Sequence, residues 1–214
     1  MAASYDDSAR LKSERLAKIA QKLRGKSKRP SRLVPLVFMT DPSRVERLPE
    51  TLAALPNNCA VIYRHFGKPR RTIIAKLLRE VTYARGQQLL IGGGDVKLAK
   101  AVKADGVHFK RDAKLVGPQK LRAENADMVI TMAGLKGGEN YEAPLTCLDG
   151  LFISAIFPSQ SPSAGVPMGV SALTDACKNL DAPVFALGGI NITNAKQLIS
   201  SGATGFAAIS GLLS

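Results

Sequence analysis

The chain has 214 residues and a formal net charge of +13, with 30 lysines and arginines against 17 aspartates and glutamates. This length suits one domain with a sizeable core. No apolar run approaches the ~20 residues of a membrane span, and the first ten residues include acids and lack the apolar stretch of a secretory signal. We therefore expect a cytoplasmic protein with no membrane partner. The cysteines are far apart, without metal-ligand spacing, and are expected to be buried free thiols: Cys59, Cys147 and Cys177.

Almost half of the excess charge lies in residues 1–31, which hold nine basic and three acidic side chains. Apolar residues from Leu11 to Leu23 follow helical spacing, and the pattern stops at Gly25. We predict a basic amphipathic helix and linker over 1–31, docked on the body by its apolar stripe. Nucleic acid is the less favoured partner, because no aromatic residues alternate with the cations to stack on bases.

From Leu33 onward, short apolar runs alternate with helical or turn segments. Runs without internal charge are typical of strands buried on both faces of a parallel sheet. Eight strands at short, regular intervals favour a barrel over an open sheet, so residues 32–214 are predicted to form a (β/α)8 TIM barrel that binds phosphate. The predicted strands are 33–39, 59–64, 88–91, 106–109, 127–132, 150–157, 182–190 and 202–211.

The predicted barrel is short, below the ~200 residues at which such barrels usually begin. Some connecting helices must therefore be short or missing, although residues 191–201 are predicted to be helical, with Asn191 or Thr193 as the N-cap. Only Ser214 and a few residues before it follow the eighth strand, so no final helix is expected. We expect the N-terminal helix to cover that part of the barrel surface.

The last two strands end in residues suited to an anion. Gly188 and Gly189 follow the seventh strand, and Ile209 and Ser210 end the eighth. Glycines let backbone N–H groups approach a ligand closely, which is how the last loops of such barrels hold phosphate. The alternative is that both glycines only form a tight turn.

The other strand ends add cations and hydroxyl groups, which together suit a substrate that carries phosphates. No nucleophile–base pair is present, and the candidate metal ligands are isolated aspartates rather than a cluster. The candidates in chain order are Arg64, Lys68, Asp95, Lys110, Arg111, Asp112, Thr131, Ser159 and Ser161.

The two histidines differ in context. His108 lies inside an apolar run at a strand end, where a hydrogen-bonded core residue is expected. His65 lies in a cationic loop, where it either contacts a phosphate or is exposed without a function.

Five segments carry a resemblance to a known family: 37–41, 104–108, 156–159, 186–191 and 202–210. Over about 33–214 the chain resembles the thiamine phosphate synthases, whose superfamily includes thiazole tautomerases. The resemblance implies a barrel that joins hydroxymethylpyrimidine pyrophosphate to thiazole phosphate and releases pyrophosphate with the help of magnesium. It also implies a dissociative reaction, in which the thiazole nitrogen captures a pyrimidine carbocation.

Carried over to this chain, the resemblance assigns the thiazole phosphate to Gly188, Gly189, Ile209 and Ser210. The pyrophosphate side departs from the family pattern. Arg64 is kept, but Phe66 stands at the family's lysine, unless Lys68 substitutes for it. Gly94 stands at the metal-binding aspartate, and Asp112 is one residue short of the second metal position. The tautomerase histidine is absent from 131–134. Ser159 and Ser161 keep the hydroxyl groups after strand six without the lysine that follows them in the family.

These departures weaken metal-assisted departure of pyrophosphate, which needs positioned positive charge. One hypothesis is that Arg64, Lys68, Lys110 and Arg111 supply this charge without a metal.

Three functions stay open. The first is a thiamine phosphate synthase with a degenerate pyrophosphate site, which would use magnesium if active. The second is a repurposed barrel that binds a phosphorylated small molecule. The third is an interaction protein acting through the basic N-terminal segment, and a homodimer is compatible with all three.

Overall fold

Eight parallel strands close into a barrel in chain order, with β1 paired to β8. The computed structural model describes residues 7–42, 45, 47–67, 69–111, 114–134, 144–159, 161 and 165–212. The predicted TIM barrel is therefore confirmed. Its strands are β1 Leu36–Met39, β2 Cys59–Tyr63, β3 Gln88–Gly92, β4 Gly106–Phe109, β5 Val129–Ala133, β6 Gly150–Ile153, β7 Val184–Leu187 and β8 Gly205–Ala208.

Six strands, β1, β2 and β5 to β8, are shorter than predicted, and β1 and β6 show why. β1 begins at Leu36 because Pro35 has no N–H to donate to the ladder, although its carbonyl accepts from Phe206 N at 2.9 Å. β6 ends at Ile153 rather than at residue 157. Beyond β6, Phe157 N donates to Gly188 O at 3.0 Å, so this segment is no longer a strand and packs against the end of β7.

Helices surround the barrel, and some of them are very short, as expected for so few residues. Two connecting helices, α5 and α6, were not among the predicted elements. The α-helices are α1 Asp7–Lys26, α2 Leu48–Ala54, α3 Arg71–Ala84, α4 Val96–Ala101, α5 Val116–Glu124 and α6 Gly169–Asn179, with 3-10 helices at Ala195–Ser200 and Ser210–Leu212.

The helix predicted over 191–201 is only the 3-10 helix Ala195–Ser200. Asn191 Oδ1 accepts from Thr193 N at 2.9 Å, and Asn194 Oδ1 accepts from Asn191 N at 2.9 Å. These side-chain bonds compete with helical hydrogen bonds, so the segment begins as a turn. Asn191 and Thr193 are not the N-cap, a position held by Asn194.

Strand residues alternate between two apolar clusters. One cluster fills the barrel interior and includes Val37, Ile62, Leu90, Phe152 and Phe185. The other takes the outward-facing residues of the same strands and the inner faces of the helices. The interior is a packed core, which leaves only the barrel mouth, at the carboxyl ends of the strands, for a ligand.

Helix α1 packs against the 3-10 helices Ala195–Ser200 and Ser210–Leu212 and against β8 and β1. Leu16, Ala20 and Leu23 are completely or almost completely buried there, whereas Lys18 and Lys22 are exposed. The apolar stripe thus docks on the barrel and the basic face meets solvent, as predicted. The helix covers the outside of β8.

Among the described helices, none is both long enough and apolar enough to cross a membrane. All three cysteines are free thiols, with Cys59 and Cys147 buried and Cys177 half-buried.

Candidate active site at the barrel mouth

The loop after β7 lies against the loop after β6, and both glycines are required there. Gly188 has φ +99° and Gly189 has φ +67°, values that side chains rarely adopt. A Cβ on Gly188 would lie 2.8 Å from Ala155 Cα, and one on Gly189 would lie 2.2 Å from Pro158 O. Close backbone approach between the two loops therefore dictates glycine at both positions.

This contact forms one wall of a cavity of about 340 Å³ at the mouth of the barrel. The wall continues along the end of β8 and the start of the 3-10 helix Ser210–Leu212, where a Cβ on Gly211 would lie 2.3 Å from Ile190 O. Seven of the site residues predicted from the sequence line this single cavity: Arg64, Ser159, Ser161, Gly188, Gly189, Ile209 and Ser210.

Arg64 is anchored by a residue that the site prediction did not include. Thr40 Oγ1 accepts from Arg64 N at 2.8 Å, and Thr40 O accepts from Arg64 Nε at 3.1 Å. Thr40 is fully buried at the end of β1. These bonds position the guanidinium group at the cavity, where a charge-assisted contact to a phosphate is available.

His108 and Thr131 form a buried pair below the mouth. The distance from His108 Nδ1 to Thr131 Oγ1 is 3.0 Å, and the His108 ring packs edge-on against Phe152. Burial, and then the positive charge of Arg64, lower the pKa of His108 to about 3. The imidazole is therefore neutral at pH 7. His108 is the hydrogen-bonded core residue that the sequence suggested, and Thr131 bonds to it rather than lining the cavity.

His65 is buried, which the sequence did not indicate. Its ring lies 5.0 Å from the ring of Tyr63, centre to centre, and only 8% of the residue is exposed. The adjacent Phe66 is half-exposed instead. The expectation that His65 is exposed in a cationic loop is therefore wrong.

Asp95, one of the two candidate metal ligands, serves the local fold. Its Oδ1 accepts from Leu98 N at 3.0 Å as the N-cap of α4, and its Oδ2 pairs with Arg71 Nη1. Arg71 Nη2 also donates to Gly92 O at 3.0 Å. Both carboxylate oxygens are thus engaged by the protein.

Aromatic rings crowd the adjacent glycines, where a second carboxylate would have to stand. Gly93 and Gly94 have φ values of +87° and +72°. A Cβ on Gly93 would lie 2.8 Å from the Phe66 ring, and one on Gly94 would lie 3.0 Å from the Phe109 ring. A longer acidic side chain at either position would have to displace an aromatic ring.

These observations bear on magnesium, the metal that the family resemblance implies. Within the described part of the chain, no group of three His, Cys, Asp or Glu side chains could hold a metal ion. Magnesium prefers carboxylate oxygens in octahedral geometry, and the described residues do not fit it. The predicted positions Lys68 and Asp112 lie outside the described residues.

The loop after β4 brings two cations to the same region. Lys110 Nζ lies 5.2 Å above the centre of the Phe66 ring. Arg111 Nη2 reaches Ser154 Oγ, after β6, at 3.5 Å. Ser154 lines the cavity, so Arg111 extends from β4 across β5 to its edge. Ser154 was not predicted as a site residue, because its place at the mouth depends on where β6 ends.

Comparisons with known proteins agree with this geometry. The family model described as "Thiamine monophosphate synthase" matches residues 36–212. The chain is 38% identical over 138 residues to the thiamine-phosphate synthase of Azoarcus sp. strain BH72, covering 64% of this chain and 66% of the relative. It is 31% identical over 163 residues to that of Roseiflexus castenholzii, covering 72% and 68%. These alignments span about two thirds of the relatives' lengths.

Among solved structures, the thiamine phosphate pyrophosphorylase from Pyrococcus furiosus superposes with a TM-score of 0.66 at 26% identity, over 88% of each chain. A match of the family model to most of the chain, together with these relatives, settles its membership. The chain belongs to the thiamine monophosphate synthase family.

Proposed function

We propose that this protein is a thiamine-phosphate synthase, joining hydroxymethylpyrimidine pyrophosphate to thiazole phosphate in thiamine biosynthesis. One observation carries the proposal: a single cavity is lined both by the Gly188–Gly189 loop and by Arg64. Two phosphate-bearing substrates that react with each other need two anion sites within reach of one another, and this cavity offers them.

The thiazole phosphate is assigned to the β7–β8 side. Gly188, Gly189 and the Ser210 hydroxyl line that wall, and no side chain on the two glycines blocks the approach of a phosphate. Backbone amides at the last two loops of a TIM barrel suit a phosphate monoester. The volume of the cavity, about 340 Å³, is in the range of small-molecule sites.

In the proposed reaction, the bond between the pyrimidine methylene carbon and a pyrophosphate oxygen breaks. The electron pair leaves with pyrophosphate, and the lone pair of the thiazole ring nitrogen forms the new carbon–nitrogen bond. No proton has to be removed, which agrees with a mouth that lacks a nucleophile–base pair among its described residues. The protein's part is to hold both substrates in line and to stabilise the departing charge.

Arg64 is assigned to the pyrophosphate, since Thr40 fixes its guanidinium group at the cavity. Ser159 and Ser161 line the same cavity and are assigned as hydroxyl donors. His108 is neutral at pH 7 and adds no positive charge to the site. Magnesium, where bound, would neutralise the charge of pyrophosphate. The described carboxylates do not fit a magnesium ion, so the assay is run both with and without magnesium.

The test is an assay with both substrates, with and without magnesium, that measures thiamine phosphate by fluorescence after oxidation to thiochrome. We expect product, and a loss on the order of 10²-fold in kcat/KM for Arg64→Ala. Ser210→Ala should mainly raise the KM for thiazole phosphate. Arg15→Ala, which removes an exposed arginine on α1, is the control and should leave both constants unchanged.

A second candidate is a barrel that binds a phosphorylated small molecule without this reaction. The replacement of the metal-binding aspartate by Gly94 favours it. Binding of thiazole phosphate without any product, at any magnesium concentration, would establish this alternative. A cytoplasmic location and a small-molecule rather than a macromolecular partner belong to either proposal.

A further inference from the structure

We infer that this protein binds the pyrophosphate group of its substrate without a divalent metal, by means of Arg111 and Lys110 on the loop after β4. The inference rests on the proposed function, because it concerns the second anion of the same cavity. It makes Arg111 a substrate-binding residue of this chain.

The first step concerns the residues after β3. The Asp95 carboxylate is held by Arg71 and by the amide of Leu98. Gly94 and Gly93 combine positive φ with aromatic rings at the positions a Cβ would take. The loop after β3 therefore offers one carboxylate, which is already paired with an arginine, and two glycines without side chains. A magnesium site would need free carboxylate oxygens at this place.

The second step is the position of Arg111. Its guanidinium group reaches across the mouth to Ser154 Oγ at 3.5 Å, at the edge of the cavity that Arg64 also lines. Its Nε is buried and has no hydrogen-bond partner among the described residues. A buried N–H of a charged group is costly to leave unpaired. An anionic ligand at the mouth would satisfy it.

The third step concerns a lysine that the family resemblance places after β2 and that this chain lacks there. Lys110, on the loop after β4, brings a positive charge close to that position. Phe66 stands where the family resemblance places a lysine after β2. Lys110 Nζ lies 5.2 Å from the centre of that ring, so the loop after β4 brings a cation next to the side chain that stands in place of the lysine. The face of the aromatic ring attracts the cation and holds it near the mouth.

The fourth step is the balance of charge. Among the described residues, Arg111 has no carboxylate partner, and its guanidinium group contacts the Ser154 hydroxyl. Arg64, Lys110 and Arg111 thus give three positive charges for a pyrophosphate, and arginine binds such oxygens in bidentate fashion.

The experiment measures the affinity of the full chain for inorganic pyrophosphate by calorimetry, once with excess EDTA and once with magnesium. The variants are Arg111→Gln and Arg111→Lys, and the matched control is Arg15→Gln, which removes the same charge from the exposed face of α1. Thermal melts of each variant establish that it is folded. Affinity for thiazole phosphate is measured in parallel on every protein.

We expect the pyrophosphate affinity in EDTA to lie within about threefold of that in magnesium. Arg111→Gln should weaken it about tenfold or more, whereas Arg111→Lys should lose less because it keeps the charge. Arg15→Gln should change it less than about twofold, since exposed charges at a distance are screened. The affinity for thiazole phosphate should be unchanged in all variants.

Two results would overturn the inference: pyrophosphate binding that needs magnesium, or binding that Arg111→Gln leaves intact in a folded protein. If thiazole phosphate still binds in either case, only the metal-free site is lost and the proposed function stands. If neither anion binds the wild-type chain, the proposed function fails together with the inference.

Discussion

The two sides of the barrel mouth are built from different parts of the chain. On the β7–β8 side the wall is backbone, and Gly188, Gly189 and Gly211 lie so close to neighbouring main chain that a Cβ would come within 2.8 Å or less of it. On the β2–β4 side the polar groups are side chains: Arg64 lines the cavity, and Arg71, Lys110 and Arg111 belong to the neighbouring segments.

This difference explains why one side matches the family and the other does not. A backbone site depends on the course of two packed loops, and every substitution of its glycines meets neighbouring atoms. A side-chain site needs only positive charge at the right place, which another loop can supply. Substitutions are therefore tolerated more easily on the β2–β4 side than on the β7–β8 side.

The largest expected effect is a loss of stability when the helix that packs on the β7–β8 side is removed. Helix α1 packs on β8 and on the 3-10 helix Ser210–Leu212, and deletion of 1–25 removes Leu16, Ile19 and Leu23 from the core. At ~1.5–3 kcal/mol for each buried aliphatic side chain, the free energy of unfolding should fall by roughly 5 kcal/mol. Thermal and urea melts measure it.

Single substitutions on α1 sharpen this test. Leu16→Ala should lower the melting temperature, since Leu16 is fully buried, whereas Leu11→Ala should not, since Leu11 is 56% exposed. An unchanged melt for the deleted protein would mean that the helix contributes nothing to the barrel.

The second effect tests the backbone wall itself. Gly189→Ala adds a Cβ 2.2 Å from Pro158 O at a φ of +67°. We expect a loss of about 3 kcal/mol in unfolding free energy from steric overlap and backbone strain, together with loss of thiazole phosphate binding. Gly86→Ala is the control, because Gly86 has φ +61° but open space around it, and should cost only about 1 kcal/mol. Equal costs at both positions would contradict a packed wall.

The third effect tests whether the side-chain wall can be returned to the family pattern. Gly94→Asp restores the family's residue type, but φ is +72° and the Phe109 ring lies 3.0 Å from the new Cβ. We expect no gain in magnesium dependence of pyrophosphate binding and a loss of about 2 kcal/mol in stability. Gly86→Asp controls for the backbone strain alone. A magnesium-dependent gain in affinity would show that the loop adapts more easily than its packing indicates.

The smallest effect lies between the two walls, at His108. Its folded-state pKa of about 3 is below the ordinary value of 6.5, so the unfolded chain binds the proton more readily. Stability should be complete above pH 6.5 and fall as the pH decreases towards 3, by about 1.4 kcal/mol at pH 5.5. Urea unfolding at several pH values measures this slope. His108→Gln should flatten it, and an unchanged slope would assign the acid sensitivity to other groups.

Much of the architecture could be predicted from the sequence, because it depends on local patterns. Charge-free apolar runs at regular spacing indicated eight buried parallel strands, and the stripe on α1 indicated its docked face. The predictions were least accurate where local hydrogen bonds compete with regular structure, as at Asn191 and Asn194, whose side chains turn a predicted helix into a 3-10 turn.

The residues of the candidate site likewise differ in whether they could be predicted from one segment of the sequence. Gly188, Gly189 and Ser210 could be predicted from the sequence as residues of one cavity, since all three follow the ends of two neighbouring strands. Arg111 at Ser154 and Lys110 over Phe66 pair residues from different strands. The engagement of Asp95 by Arg71 likewise joins two loops 24 residues apart.

The sequence by itself therefore determined the closed barrel, the docked N-terminal helix and the glycine wall, because each follows from residue spacing along one segment. Only the tertiary structure decided which arginine lines the cavity, which carboxylate is already paired, and which aromatic ring a side chain at Gly94 would meet. Those properties depend on distances between segments that closure of the barrel brings together, and such distances leave no trace in the order of residues along the chain.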